Sequence, residues 1–243
     1  FVSAPFPPFA VAGHSVGEYS ALAAAGVMTI STCLSLVAER ARLMQSAADS
    51  NPGTMLALLG GTVESAEELC SAIRLKVPGS YLQVANLNSA GETVIAGDLP
   101  GIEMARRLAS KYGSRRAIPL SVSGAFHSQA MAPAAHSLRG VVSEAAFSEP
   151  VVPIVGNIDA AMKSDVSAVR EELAEQIVSP VRWAESMITM SASGVTCFHE
   201  VGPGQVLSRL AKRICPDICC EAVSTAKAVP RLAAHLIGLE VDR

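Results

Sequence analysis

Glycine brackets a serine in Gly13-His14-Ser15-Val16-Gly17, which follows the apolar run Phe9-Ala10-Val11-Ala12 and precedes a helix-forming stretch. A serine so placed sits at a sharp strand-to-helix turn, where small flanking residues let the chain bend and leave the hydroxyl exposed at the helix N-terminus. The chemistry this suits is acyl transfer. The N–H of Val16 and the positive end of the following helix would face a developing oxyanion. A serine hydroxyl is a weak nucleophile at neutral pH and needs a base, most often histidine. Of the five histidines, His14 neighbours the serine and points its ring elsewhere, His136 and His235 lie in helical contexts, and His199 sits within an apolar strand. His127 is the favoured base. Ser121-Val122-Ser123-Gly124-Ala125-Phe126-His127-Ser128 places it on a small-residue loop directly after a strand, where the catalytic groups of α/β folds collect. Asp98 precedes His127 in Ser-Asp-His order and follows a strand, but ahead of Leu99-Pro100 it reads as a turn residue.

Strands and helices in alternation must position these groups. A helix is expected from Ser15 to about Ala25 and a second from about Ser31 to Ala48, stopped by Asn51-Pro52-Gly53. Residues 19 to 38 carry no charge and have membrane-spanning length. Ser20, Thr29, Ser31, Thr32 and Ser35 interrupt them, however, and Gly26 before Thr29 and Ser31 reads as one buried helix ending and another being capped. Residues 54–119 then read as strand (Met55 to Leu59), helix (Val63 to Arg74), strand (Tyr81 to Leu87), strand (Glu92 to Gly97), helix (Gly101 to Tyr112) and strand (Arg116 to Val122). That βαββαβ order is the ferredoxin-like arrangement, here expected as an inserted subdomain. Beyond it come a helix near Ala130 to Glu144, a short strand near Pro153 to Val155, helices near Val166 to Ile177 and Val181 to Ser193, a strand from Thr196 to Val201 and a last helix to about Ile214. The outer segments imply a mainly parallel sheet covered on both faces, so the expected class is α/β.

Half of the 243 residues are hydrophobic and 17% are charged, which supplies a large core and argues against disorder. The net charge of −3, with no long basic run, excludes nucleic acid as the main partner. The six cysteines sit mostly in apolar stretches and are expected reduced; Cys215-x-x-x-Cys219-Cys220 lacks a nearby histidine and a second cysteine pair, so no metal site is expected.

Five segments share their order and spacing with one family: Gly13-His14-Ser15-Val16-Gly17-Glu18-Tyr19-Ser20-Ala21-Leu22, Arg40-Ala41-Arg42-Leu43-Met44-Gln45, Ser123 to Ser128, Gln176-Ile177-Val178-Ser179-Pro180-Val181-Arg182-Trp183, and Glu200-Val201-Gly202-Pro203-Gly204-Gln205-Val206-Leu207. The chain resembles the malonyl-CoA:acyl carrier protein transacylases over nearly its whole length. Asn86 to Ser89 with Ile95-Ala96-Gly97 resembles the same family's inserted subdomain. The resemblance implies a hydrolase-like core at 1–53 and 120–243, its N-terminal part missing, with the ferredoxin-like subdomain at 54–119.

It also implies roles. Ser15 matches the acylated nucleophile, His127 the general base and acid, and Gln176 the residue whose backbone carbonyl orients the imidazole. Arg40 matches the residue that holds the malonyl carboxylate by two parallel hydrogen bonds, a role its place beside Glu39 and Arg42 on a helix would not by itself suggest. Phe126 matches a bulky residue that limits room for an α-methyl branch. The implied substrates are malonyl-CoA and the phosphopantetheine thiol of acyl carrier protein, without a bound cofactor or a membrane partner. The expected setting is cytoplasmic, or plastid or mitochondrial in a eukaryote. The family's N-terminal glutamine loop, which supplies a second oxyanion N–H, is not in this sequence, so the chain reads as part of a longer enzyme. An acyltransferase domain of a polyketide or fatty acid synthase would share every motif. A serine esterase would require an acidic triad partner and have no use for Arg40, and a non-catalytic carrier-binding scaffold would leave Ser15 unmodified.

Overall fold

The computed structural model describes residues 7–230 and Leu232. His235 lies outside them. The first strand, β1 (Val11–Ala12), runs into the Ser15 turn and then into α1 (Gly17–Ala24); α2 (Ile30–Ser50) follows. Gly26 closes the first helix at φ +76°, and the Thr29 hydroxyl caps the second by accepting the Thr32 N–H at 3.1 Å. The uncharged stretch is thus two helices, and among the described residues no helix is long and apolar enough to cross a membrane.

Next comes a four-stranded sheet built from β2 (Gly53–Leu59), β3 (Leu82–Ser89), β4 (Glu92–Asp98) and β5 (Arg116–Pro119), with α3 (Val63–Lys76) after β2 and α4 (Leu99–Leu108) after β4. The strand order is β3-β4-β2-β5 and every pairing is antiparallel. One face buries its own apolar cluster, including Leu56, Leu58, Leu69, Ile73, Ile95 and Ile102. Asp98 caps α4, its Oδ1 accepting the Gly101 N–H at 3.1 Å and the Ser80 hydroxyl at 2.6 Å. The last strand stops at Pro119, three residues short of the expected end, because the chain turns there toward the His127 loop.

The remaining elements are α5 (Ala132–Glu144), β6 (Ile154–Val155), β7 (Met162–Lys163), α6 (Val166–Glu175), α7 (Trp183–Ala192), β8 (Cys197–Val201), α8 (Val206–Ile214) and β9 (Cys219–Val223). Parallel pairing occurs as β1 with β6 and as β8 with β9, in two separate short sheets, and β7 adds an antiparallel edge to the first. The architecture is therefore α/β with mixed sheets. The main core gathers Tyr19, Leu22, Leu36, Met131, Leu138 and Ile177 between the helices around the Ser15 turn. Each such side chain contributes about 2 kcal/mol by leaving water. All six cysteines are free thiols.

The four-stranded sheet is joined to the rest along β3. The Leu87 N–H donates to the Val181 carbonyl and the Val181 N–H to the Ala85 carbonyl, both at 2.9 Å. The Gln83 side chain adds a bond to each side of the His127 loop: its amide donates to the His127 carbonyl at 3.2 Å, and its oxygen accepts the Gln129 N–H at 3.1 Å.

Candidate active site

Ser15 stands between β1 and α1 with φ +52°, a left-handed backbone that a residue with a Cβ adopts at a cost of about 1 kcal/mol or more. The turn needs glycine at one flank only. A Cβ on Gly13 would lie 2.0 Å from the carbonyl carbon and oxygen of Gly17, whereas a Cβ on Gly17 would meet nothing within 4 Å. Helix α1 starts at once, with the Gly17 and Glu18 N–H groups donating to the carbonyls of His14 and Ser15. The Val16 N–H has no protein acceptor among the described residues and stands free at the helix head, beside Ser15.

His127 also has a left-handed backbone, φ +56°, which turns its buried ring back toward the serine. The Ser15 Oγ and His127 Nε2 are 2.7 Å apart. On the ring's other side Nδ1 lies 2.9 Å from the Gln176 carbonyl and 3.2 Å from the Ser179 carbonyl. Both carbonyls only accept, so Nδ1 carries the proton and Nε2 presents its lone pair to the serine. Burial pushes the imidazole down to about 4; the Gln176 carbonyl opposes this and the Arg40 charge adds to it. At neutral pH the ring is therefore uncharged and able to accept a proton. The Gln176 carbonyl is available because α6 ends at Glu175 and tightens into a single 3-10 turn over Gln176–Val178.

Arg40 reaches the same place from α2. Its Nη2 donates to Ser15 Oγ at 3.0 Å and to Gln176 Oε1 at 3.2 Å, and the guanidinium stacks 5.7 Å from the Tyr19 ring centre. It is 7% exposed, its Nε has no partner, and no carboxylate is within ion-pair distance of it among the described residues. Arg42 projects to the exposed face and pairs with Glu39. Phe126 is half-buried beside His127 and packs against the main core.

The other histidines lie apart from this pair. His14 Nε2 is 2.9 Å from Asn88 Oδ1 and its ring is tilted against Trp183, His136 is on the exposed side of α5, and His199 is in β8 near Glu221. Asp98 serves the cap of α4 and makes no bond to His127. Three contributions escaped sequence reasoning. The Gln176 side chain bonds the Ser15 carbonyl and the Glu18 carboxyl as well as Arg40. Glu18, in the first turn of α1, is buried rather than solvated, and burial followed by the nearby Glu172 pushes its carboxyl well above the usual range. Asn157, just past β6, holds the Ser15 turn, and its position at a strand end was the signal that could have found it.

A serine turned toward a neutral buried imidazole, at the head of a helix and in reach of an unpaired guanidinium, defines an α/β protein equipped for acyl transfer. Comparison with known proteins agrees. The acyl transferase domain family matches residues 3–238. The malonyl CoA-acyl carrier protein transacylase of Bacillus subtilis (strain 168) is 39% identical over 242 residues, spanning 100% of this chain and 75% of that protein. Its namesake from Escherichia coli (strain K12) is 37% identical over 222 residues, 91% of this chain and 71% of the relative. Among solved structures, an acyl carrier protein S-malonyltransferase from Vibrio cholerae superposes with a TM-score of 0.87 at 37% identity, covering 93% of this chain and 72% of the other. A malonyl-transacylase solved in complex with its type II PKS acyl-carrier protein gives the same TM-score, identity and coverages. The chain belongs to the malonyl CoA-acyl carrier protein transacylase family of acyl transferase domains.

Proposed function

We propose that this protein transfers a malonyl group from malonyl-CoA to the phosphopantetheine thiol of acyl carrier protein through an ester on Ser15, supplying fatty acid biosynthesis. The observation that carries the reading is the convergence on one oxygen: Ser15 Oγ is 2.7 Å from a neutral His127 Nε2 and 3.0 Å from Arg40. His127 takes the serine proton as Oγ attacks the thioester carbonyl, and the Val16 N–H bonds the oxyanion. Coenzyme A leaves as a thiol with the proton returned from Nε2. In the second half-reaction the carrier thiol occupies the same cleft, gives its proton to His127 and takes the malonyl group, restoring the serine hydroxyl. Two acyl exchanges of this kind need no redox or metal cofactor. The Gln176 and Ser179 carbonyls hold the ring where an aspartate would stand in a triad, which favours a transferase with this dyad over a triad esterase.

Substrate class follows from Arg40. A buried cation without an anion is costly, and a malonyl carboxylate would both pair it and lift it from Ser15 Oγ. Phe126, beside the base, would narrow the space for a branched acyl chain. The same reading divides the chain into a hydrolase-like core, 1–53 and 120–243, and a ferredoxin-like insert, 54–119. Its support is the antiparallel order β3-β4-β2-β5 and the insert's separate apolar cluster.

The test is adduct mapping. The protein incubated with malonyl-CoA should gain one malonyl group on Ser15 by mass spectrometry and release it to holo acyl carrier protein, and Ser15→Ala and His127→Ala should form no adduct. A malonyl group on any other residue would overturn the mechanism.

A further inference from the structure

Strands β1 and β6 pair in parallel for only two positions, Val11 with Ile154 and Ala12 with Val155, and the ladder ends where the Ser15 turn begins. A side chain continues it. Asn157, 1% exposed, accepts the Ser15 N–H on Oδ1 at 2.7 Å and donates from Nδ2 to the Gly13 carbonyl at 2.8 Å. Its carboxamide thus makes the two bonds that the next peptide of a neighbouring strand would make. The segment that carries it is itself fixed from two directions. The Arg182 N–H donates to the Asn157 carbonyl at 2.8 Å, and the Ile158 N–H donates to Oε1 of the buried Glu172 carboxyl at 2.8 Å.

One of the two carboxamide bonds falls on Ser15, the one residue of the turn that pays for its backbone, at φ +52°, and the other on Gly13 two residues before it. Without them Ser15 keeps only the bonds to its carbonyl, from the Gln176 side chain and the Glu18 N–H, and its N–H side can relax toward negative φ, which swings Cβ and Oγ away from His127. We propose that Asn157 is a positioning residue for the transfer reaction: by clamping the peptides on both sides of His14 it holds Ser15 Oγ in line with His127 Nε2, while touching no reacting atom. The proposal rests on Ser15 being the nucleophile, and its test keeps the two apart.

Asn157→Ala and Asn157→Asp are compared with the parent protein in the rate of malonyl-serine formation. Displacing a nucleophile by about 1 Å costs roughly a hundredfold. Asn157→Ala is accordingly expected to lose about a hundredfold in kcat, with KM for malonyl-CoA changed less than about threefold because Arg40 is untouched. Asn157→Asp accepts the Ser15 N–H in either form but can donate to the Gly13 carbonyl only when protonated. Its kcat should therefore rise toward the parent's as pH is lowered from 8 to 5.5, over which the parent does not gain. A readout without turnover is the His127 ring nitrogen NMR signal, which senses the Ser15 hydrogen bond and should shift in Asn157→Ala. Should that variant fail to fold, the Asp variant and its pH profile carry the test. Folded variants with kcat within about threefold of the parent, a loss in Asn157→Asp that ignores pH, or an unchanged His127 signal would overturn the role. If the parent itself forms no adduct on Ser15, the transfer reading fails, and the NMR comparison still decides whether Asn157 sets the Ser15–His127 geometry.

Discussion

In the proposed transfer, Arg40 is the residue whose physics would bear most directly on which acyl group is accepted. Burial pushes its guanidinium down, yet an arginine keeps its proton at any pH the protein survives, so a full charge stands in the site with a ring face and two neutral oxygens for company. A carboxylate-bearing acyl chain would relieve this and an acetyl chain would not. Arg40→Ala should lower loading of Ser15 from malonyl-CoA by about a hundredfold or more while changing loading from acetyl-CoA less than about fivefold. Arg40→Lys should recover only part of the loss, because an ammonium cannot bind a carboxylate through two parallel bonds. Competition between the two thioesters, read by adduct mass, measures both. Equal losses with both would mean that Arg40 serves the serine rather than the substrate. Its position was legible only through family resemblance, since Glu39-Arg40-Ala41-Arg42 alone describes a solvated helix face. Burial of one arginine and exposure of the other, two positions on, is a tertiary fact.

At the level of elements, the strand-turn-helix unit around Ser15 makes unequal demands on its two glycines. Gly13→Ala would drive a methyl into the Gly17 backbone, which has no side-chain freedom with which to yield, and should cost about 3 kcal/mol along with the acylation activity. Gly17→Ala meets open space at the first position of α1 and should stabilise the fold by up to about 0.5 kcal/mol through a less flexible unfolded chain. Urea unfolding of both variants separates the cases, and equal destabilisation would refute the asymmetry. Symmetry in the motif concealed this difference. Elements with local signals were legible: Gly26 and Thr29 mark the break between α1 and α2, and the βαββαβ segment alternates as its residues suggest, with β3-β4-β2-β5 as the resulting order. The two-residue β7 and the cysteine-rich β9 were not, because such short strands owe their existence to a partner rather than to their own pattern. Asn157 and the side chain of Gln176 escaped for the same reason. Their value lies in backbone groups more than a hundred residues away.

For the molecule as a whole, the buried site makes stability depend on pH with opposite signs on its two sides. His127 holds its proton only below about 4 when folded, against about 6.5 when unfolded. Between those values the unfolded chain binds more protons, so stability falls as pH falls, by roughly 3 kcal/mol across the interval. His14, also pushed down by burial, acts in the same sense. Glu18 and Glu172 act in the other. Burial pushes both carboxyls up, so the folded state keeps protons that the unfolded chain releases above its ordinary carboxylate range, and stability falls as pH rises through the raised values. Each substitution should therefore remove one limb. In denaturant unfolding from pH 4 to 9, His127→Gln should flatten the acid limb, losing roughly 3 kcal/mol less than the parent between pH 6.5 and 4. Glu18→Gln should keep the His127-driven loss below pH 6.5 and gain on the parent from the ordinary carboxylate range upward, because an amide has no proton to surrender. Curves for His127→Gln and the parent that stay parallel below pH 6.5 would show that the imidazole is not held neutral, and with it would go the uncharged Nε2 on which the proposed transfer of the serine proton depends.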